Sequence, residues 1–149
     1  MDLRRAVVCA AVAAVMSGVA SAARAGDAIG TEWWFGGGFH DPEYHDGGMV
    51  TGRGGAGLVF LEHVDLGANL QFDRDRWFWF GYAGVILPAI SSVEPFGRFH
   101  IGQRDDSSET NTQWSAGLRY GIPSVLFYVE VFRLIEPNED KGACVGLIF

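Results

Sequence analysis

Between residues 64 and 73 the chain alternates without a break. Val64, Leu66, Ala68, Leu70 and Phe72 fall on one parity, and Asp65, Gly67, Asn69, Gln71 and Asp73 on the other. Successive side chains of a strand point to opposite faces, so this run reads as a β-strand with one apolar and one polar face. Trp114, Ala116, Leu118 and Tyr120 oppose Gln113, Ser115, Gly117 and Arg119 in the same way, and Val125, Phe127, Val129 and Val131 oppose Tyr128 and Glu130. Beyond the N-terminal segment no window carries the 3.6-residue stripe of a helix, and the 21 glycines spread through the chain disfavour one. The pattern predicts eight strands: Thr31–Phe39, Gly52–Leu61, Val64–Phe72, Arg76–Ile86, Val93–Gly102, Thr112–Ile122, Val125–Leu134 and Gly142–Phe149. A tilted strand needs about nine to eleven residues to cross a bilayer, and all but the last, slightly short, segment meet that length.

The connections between these segments alternate too. HDPEYHDGG, DRD, RDDSSETN and EPNED are charged and mostly long, whereas Glu62-His63, the PAISS stretch and Pro123-Ser124 are short and nearly uncharged. Tight turns on one rim and longer polar loops on the other are the asymmetry of a barrel inserted from one side of a membrane. An even number of strands also returns both chain ends to one rim. The expected fold is therefore all-β, an eight-stranded antiparallel up-and-down transmembrane β-barrel.

Two barrel types share period-two strands and differ in which face points in. A soluble lipocalin-like barrel is apolar inside; a membrane barrel is apolar outside. Glu94, Arg98 and His100 lie on one face of the fifth strand opposite Val93, Phe99 and Ile101, and Glu32, Arg119 and Glu130 lie on the less apolar faces of theirs. If those faces point inward, each charge must be paired, because a lone buried charge costs several kcal/mol. Trp33, Trp34, Phe35, Phe39, Trp77, Trp79, Trp114, Tyr120 and Phe149 sit mostly near strand ends, as interfacial girdles would. They favour the membrane form. Trp77-Phe78-Trp79-Phe80 and Leu58-Val59-Phe60-Leu61 are apolar on both parities. In addition, a two-residue turn at Glu62-His63 would pair Leu61 with Val64. Such runs call either for aromatics filling the interior against glycines or for a bulge.

The first 25 residues have the layout of an export signal. Arg4 and Arg5 precede an uncharged apolar run, Ala6 to Met16, and two Ala-x-Ala exits follow at Ala20-Ser21-Ala22 and Ala23-Arg24-Ala25. The run is too short for a membrane-spanning helix, which needs about 20 residues. Residues 26–149 then form a single barrel domain. Removing 1–25 leaves 8 basic residues against 17 acidic ones, a net charge near −9. With no basic stripe to neutralise phosphates, nucleic acid is not an expected partner. Cys9 leaves with the signal. Cys144 remains alone, so it forms no internal disulfide and serves as a small apolar filler or an intermolecular thiol.

In sequence, TEWWFGGGFH as a first strand, VDLGANLQFDRD as a third, VEPFGRFHIG as a fifth and the terminal GACVGLIF carry a family resemblance. Residues 31–149 resemble the small eight-stranded outer-membrane β-barrel proteins of Gram-negative bacteria, the group that includes the OmpA transmembrane domain and opacity-type adhesins. The resemblance implies a monomer in the outer membrane, among lipid and lipopolysaccharide, with possible external surface partners and no cofactor. In that family the barrel-assembly machinery reads a C-terminal strand ending in Phe. Val145, Leu147 and Phe149 occupy the matching alternation, with Leu147 where an aromatic is often found. Members serve as structural proteins, adhesins, immune-evasion surfaces, narrow pores or, in a minority, lipid-modifying enzymes. One fold hosts all of these.

Three sets of residues are chemical candidates. Glu32, Arg53, Glu94, Arg98, His100, Arg119 and Glu130 would form a charge network inside the barrel, as a plug or as the lining of a narrow path. Ser115, His100 and Glu130 sit on three successive strands. They contain the residue types of an acyl hydrolase, although the His-x-Ser pair of lipid A deacylases is absent and the set points inward. His40, Asp41, Glu43, His45 and Asp46 gather imidazoles and carboxylates that could hold a divalent cation, or simply keep an outer loop solvated.

Overall fold

The computed structural model describes residues 29–41, 48–73, 76–122, 125–136 and 140–149. The signal-like segment 1–25, and with it Cys9, lies outside them, as do Glu43, His45 and Asp46. Eight strands follow one another: β1 (Ile29–Asp41), β2 (Met49–Phe60), β3 (Val64–Asp73), β4 (Arg76–Ile86), β5 (Val93–Arg104), β6 (Thr110–Ile122), β7 (Val125–Glu136) and β8 (Lys141–Ile148). Each pairs antiparallel with its sequence neighbours, and β8 returns to β1, closing the barrel. The seam is completed by Trp33 N–H to Phe149 C=O (3.0 Å) and Phe149 N–H to Trp33 C=O (2.7 Å). Closure leaves no sheet edge unpaired, which backbone in a bilayer requires.

Polarity is inverted relative to a soluble barrel. Phe39 is 67 % exposed, Val129 54 % and Val145 59 %, and Leu66, Phe99 and Leu118 share the outer face. By contrast His100, Gln113 and Glu130 are 0 % exposed. Arg98 lies between outward Phe99 and the inward-facing row of Asp65 and Gly84, to which it is joined by strand register. This is the arrangement of a barrel surrounded by lipid, and it excludes the lipocalin-like alternative for the fold.

The doubly apolar segments are resolved by filling, not by a bulge. In the run 77–80, β4 stays in continuous register with β3 and β5, so Phe78 and Phe80 point in while Trp77 and Trp79 point out. The inner pair stacks at 6.0 Å with rings 6° apart. Glycines on neighbouring strands make the room: a Cβ on Gly117 would fall 2.7 Å from the Phe96 ring, one on Gly55 2.8 Å from the Trp34 indole, and one on Gly102 2.7 Å from Phe80. The described irregularity is elsewhere, where β6–β7 register shifts between Thr112 and Gln113.

Three sequence expectations require correction. Trp34 is not part of an outer girdle. It is 2 % exposed and points inward, because Trp33 and Phe35 take the outer parity. The β2–β3 turn holds three residues, Leu61 to His63, so that Phe60 rather than Leu61 pairs with Val64. That register keeps Phe60 and Val64 outside and puts Val59 and Asp65 inside; a two-residue turn would have placed Leu61 opposite Val64. Finally, β1 runs on through Asp41, carrying His40 out of the predicted loop and into the wall, where it pairs with Met49.

The tight turns are joined to one another. His63 N–H donates to Phe60 C=O (3.0 Å), Ile86 N–H donates to His63 C=O (2.8 Å), and His63 Nδ1 lies 3.2 Å from Ile86 C=O. Leu61 and Glu62 have φ of 50° and 64°, and Ser91 and Ser92 have 53° and 72°. Two successive left-handed residues suit the twist of a tight hairpin, but a side chain there costs about 1–2 kcal/mol. Replacing Ser91-Ser92 by Asn-Gly is expected to stabilise the barrel by about 1 kcal/mol, read by urea unfolding in lipid vesicles. A loss of stability would show that these serines hold contacts worth more than the strain.

Candidate functional site: the barrel interior

The polar parity of every strand converges on the axis, and its charges meet there as pairs. Arg53 of β2 donates to Glu130 of β7 at 2.8 Å, both side chains fully shielded. Arg98 of β5 donates to Asp65 of β3 at 2.6 Å and lies 4.0 Å from Glu32. Arg119 of β6 reaches Glu32 of β1 through both terminal nitrogens, at 2.5 and 3.3 Å, and its Nε lies 3.4 Å from Glu94. A two-nitrogen grip of this kind fixes geometry as well as charge. Partners are 77, 33 and 87 residues apart in the chain, so only the closed barrel brings them together.

Aromatic rings separate the pairs. Trp34 stands between Arg53 (5.8 Å to its ring) and Arg98 (5.2 Å), while Arg98 also faces Tyr82 and Phe96 at 4.8 Å each and Arg53 faces Phe132 at 4.6 Å. The indole N–H of Trp34 donates to the Tyr82 hydroxyl at 3.4 Å. Arg53 and Arg98 thus each have a carboxylate in front and π-faces beside them, the surroundings that make a buried cation tolerable.

His100 occupies a neutral pocket beyond this cluster. One ring nitrogen lies 3.1 Å from Asn69 Oδ1 and the other 3.0 Å from Ser115 Oγ, with Phe80 and Tyr82 flanking the ring. Of the three candidate catalytic residues, Ser115 and His100 are therefore in contact. Glu130 is not with them, because it is held by Arg53. The third partner of the imidazole is an amide. Ser115 is 3 % exposed and faces the axis, away from any lipid ester.

Of the five candidate metal ligands, only His40 and Asp41 lie among the described residues. As neighbours on a strand, His40 and Asp41 point to opposite faces: His40 lies inside, 3.4 Å from Asp73, and Asp41 is exposed. No group of three or more His, Cys, Asp or Glu among the described residues is placed to hold a metal ion. Val145, Leu147 and Phe149 share the outer face of β8 and its end, Phe149 stacking on Phe35 at 5.6 Å.

Sequence reasoning missed Asp65, Asp73, Asn69 and Tyr82 as interior partners. The signal was present for the first three, which share the polar parity of β3 with Gln71. Tyr82 carried little, since beyond Arg76 at the strand's start its parity in β4 holds Phe78, Phe80, Gly84 and Ile86. Cys144 is buried, its thiol 3.6 Å from the Tyr128 hydroxyl, and acts as part of the packing.

No protein-family model matches the sequence, nor does any curated protein sequence. Solved structures do match. A designed transmembrane β-barrel superposes with a TM-score of 0.65 at 17 % identity, over 80 % of this chain and 94 % of the other. The attachment invasion locus protein Ail of Yersinia pestis gives 0.61 at 12 %, over 83 % and 100 %. Neisserial surface protein A gives 0.55 at 10 %, over 82 % and 98 %. The chain has the fold of the small eight-stranded outer-membrane barrels.

Breaking one ion pair leaves a charge stranded in a dry interior, a loss of about 3–5 kcal/mol, whereas removing both charges together is far cheaper. Arg53→Met is expected to lower unfolding stability in lipid vesicles by that amount, and Arg53→Met with Glu130→Met to recover most of it. If the double substitution is as damaging as the single one, the pairing is not what holds this part of the interior.

Proposed function

We propose that this chain is a monomeric outer-membrane protein that acts through its surface and its presence in the envelope, with no reaction of its own. The observation that carries the reading is the inverted polarity: an apolar outer belt around an interior of paired charges. In this reading residues 1–25 direct export and are removed, and Val145, Leu147 and Phe149 present the strand that the assembly machinery reads. The rim away from the two described termini, holding the charged connections, then faces outside. The Yersinia protein is named for attachment and invasion. By analogy, the acidic loops of this chain would contact external partners.

The interior supports a plug over a pore. Eight strands enclose only enough space for side chains, and here Trp34, Phe80, Phe96, Tyr128 and Phe132 occupy it along with the ion pairs. Purified chain in planar bilayers is accordingly expected to give no steady conductance. It should stay in the membrane pellet through carbonate washing and migrate faster on gels unheated than heated. Release by carbonate would overturn the membrane assignment; stable unitary currents would favour the pore.

A hydrolase reading draws on the Ser115–His100 contact, but its residues face the axis and are sealed from lipid. Ser115→Ala is expected to leave the lipid A profile of the cell unchanged. An altered acylation pattern on mass spectrometry would reinstate the enzyme.

A further inference from the structure

We infer that the β4–β5 hairpin carries the lipid-facing wall past the tight-turn rim, and that its tip seats in the phospholipid interface of that leaflet. The inference rests on the membrane reading above and adds a specific anchor to it. From Trp77 to Val93 the chain holds no charged side chain, although this stretch includes a turn. Turns that meet water draw on polar residues, and between Ile86 and Val93 only Ser91 and Ser92 are polar. Leu87 and Ile90, which follow the end of β4, are 52 % and 72 % exposed.

Register joins this tip to the lipid-facing belt. On the outer parity Gly81 pairs with Ile101, Ala83 with Phe99 and Val85 with Gly97. The next step brings Leu87 to Pro95, bonded N–H to C=O at 2.8 Å, and the last brings Ile90 to Val93. Residues paired directly across two strands share a face, so Ile90 lies on the outer side with Val93. Every outward residue of this column is apolar. Wall and tip are therefore one uninterrupted surface, and the lipid that covers the first is the occupant that fits the second.

Backbone bonding suits a place poor in water. The N–H groups of Leu87, Ile90 and Val93 each donate within the hairpin, at 2.8, 2.8 and 3.1 Å, and Pro88 has no N–H to satisfy. Ile86 N–H donates to His63 C=O at 2.8 Å and ties the base of the hairpin to the neighbouring turn. Depth follows from length. β4 spans 11 residues, enough for a tilted strand to cross the hydrocarbon. Leu87 and Ile90 come after it, at the boundary of acyl chains and headgroups, where the hydroxyls of Ser91 and Ser92 find polar partners. At the opposite rim β5 ends on Arg104, which Asp106 holds, as befits a rim in water.

The test uses the exported chain, purified from membranes and placed in vesicles of phosphatidylethanolamine and phosphatidylglycerol, with a nitroxide at one site at a time. Ile90→Cys reports the tip, Val129→Cys the wall and Asp106→Cys the opposite rim, while Cys144 is buried and shielded from the label. Collision with membrane-dissolved oxygen, relative to collision with a water-borne nickel complex, reads depth. The ratio at position 90 is expected severalfold above that at 106 and below that at 129. Adding Leu87→Asp should bring it down to the value at 106 and leave 129 unchanged. Equal ratios at 90 and 106 without that substitution, or a ratio at 90 that Leu87→Asp does not move, overturn the anchor. A label at 90 closed to both reagents also overturns it, since protein then covers the tip; broadening between labels would identify a second copy. Should Ile90→Cys fold poorly, Ser91→Cys must still read above 106. Position 129 keeps the two readings apart: a water-like ratio there defeats the membrane reading, whereas a lipid-like ratio at 129 with a water-like one at 90 defeats only the anchor.

Discussion

Away from the rims, lipid on the outside leaves a strand charge only one direction, inward, and eight strands leave that interior little space for unpaired ones. The packing of this protein follows from the two conditions together. Arg53, Arg98 and Arg119 each meet a carboxylate from a strand distant in sequence. The guanidinium groups of Arg53 and Arg98 lie against Trp34, Tyr82, Phe96 and Phe132. The interior is a mixed column: buried apolar side chains such as Trp34, Ile86, Phe96, Phe132 and Ile148 provide the volume, and ion pairs run between them. The glycines belong to the same design. They are not there to break helices, as their abundance first suggests, but to give the rings somewhere to lie, as Gly55 does for Trp34 and Gly117 for Phe96.

A filled interior shifts the chemistry to the outer wall and the rims. His100 and Ser115 show how misleading a pair of residue types can be. They touch, yet their surroundings are an asparagine and two aromatic rings in a compartment closed to lipid. Hydrogen bonding satisfies a buried imidazole there, which is a structural task. On the outside the two rims differ in kind. The hairpins at one are short and tied together through His63 and Ile86. The other carries the charge, and just beneath it Asp41, Lys141 and Arg133 stand side by side on the outer wall.

Strand number, strand order and the inward or outward parity of most side chains were legible in the sequence, because each depends on residues adjacent in the chain and on the two-residue repeat. Val64 to Asp73 needed no other information. The inward parity of Glu32, Arg98, His100, Arg119 and Glu130 follows from the same repeat. Where local pattern was ambiguous the reading went astray. Trp33-Trp34-Phe35 offers three aromatics in a row, and only the parity of Glu32 tells that Trp34 faces in. The turn after Phe60 could hold two residues or three, and only three put Arg53 on the inward parity from which it reaches Glu130. His40 looked like loop because its neighbours are loop residues; pairing with Met49 makes it wall.

By itself, then, the sequence determined the architecture and the polarity of each wall, since both are written in short-range alternation that lipid and water sort without reference to the rest of the chain. Which carboxylate meets which arginine, which ring lies over which glycine and which nitrogen of His100 meets Ser115 were decided only by the closed barrel. Those contacts join residues from 15 to 87 positions apart. Their geometry comes from strand register and curvature summed around eight strands, a quantity no local window contains.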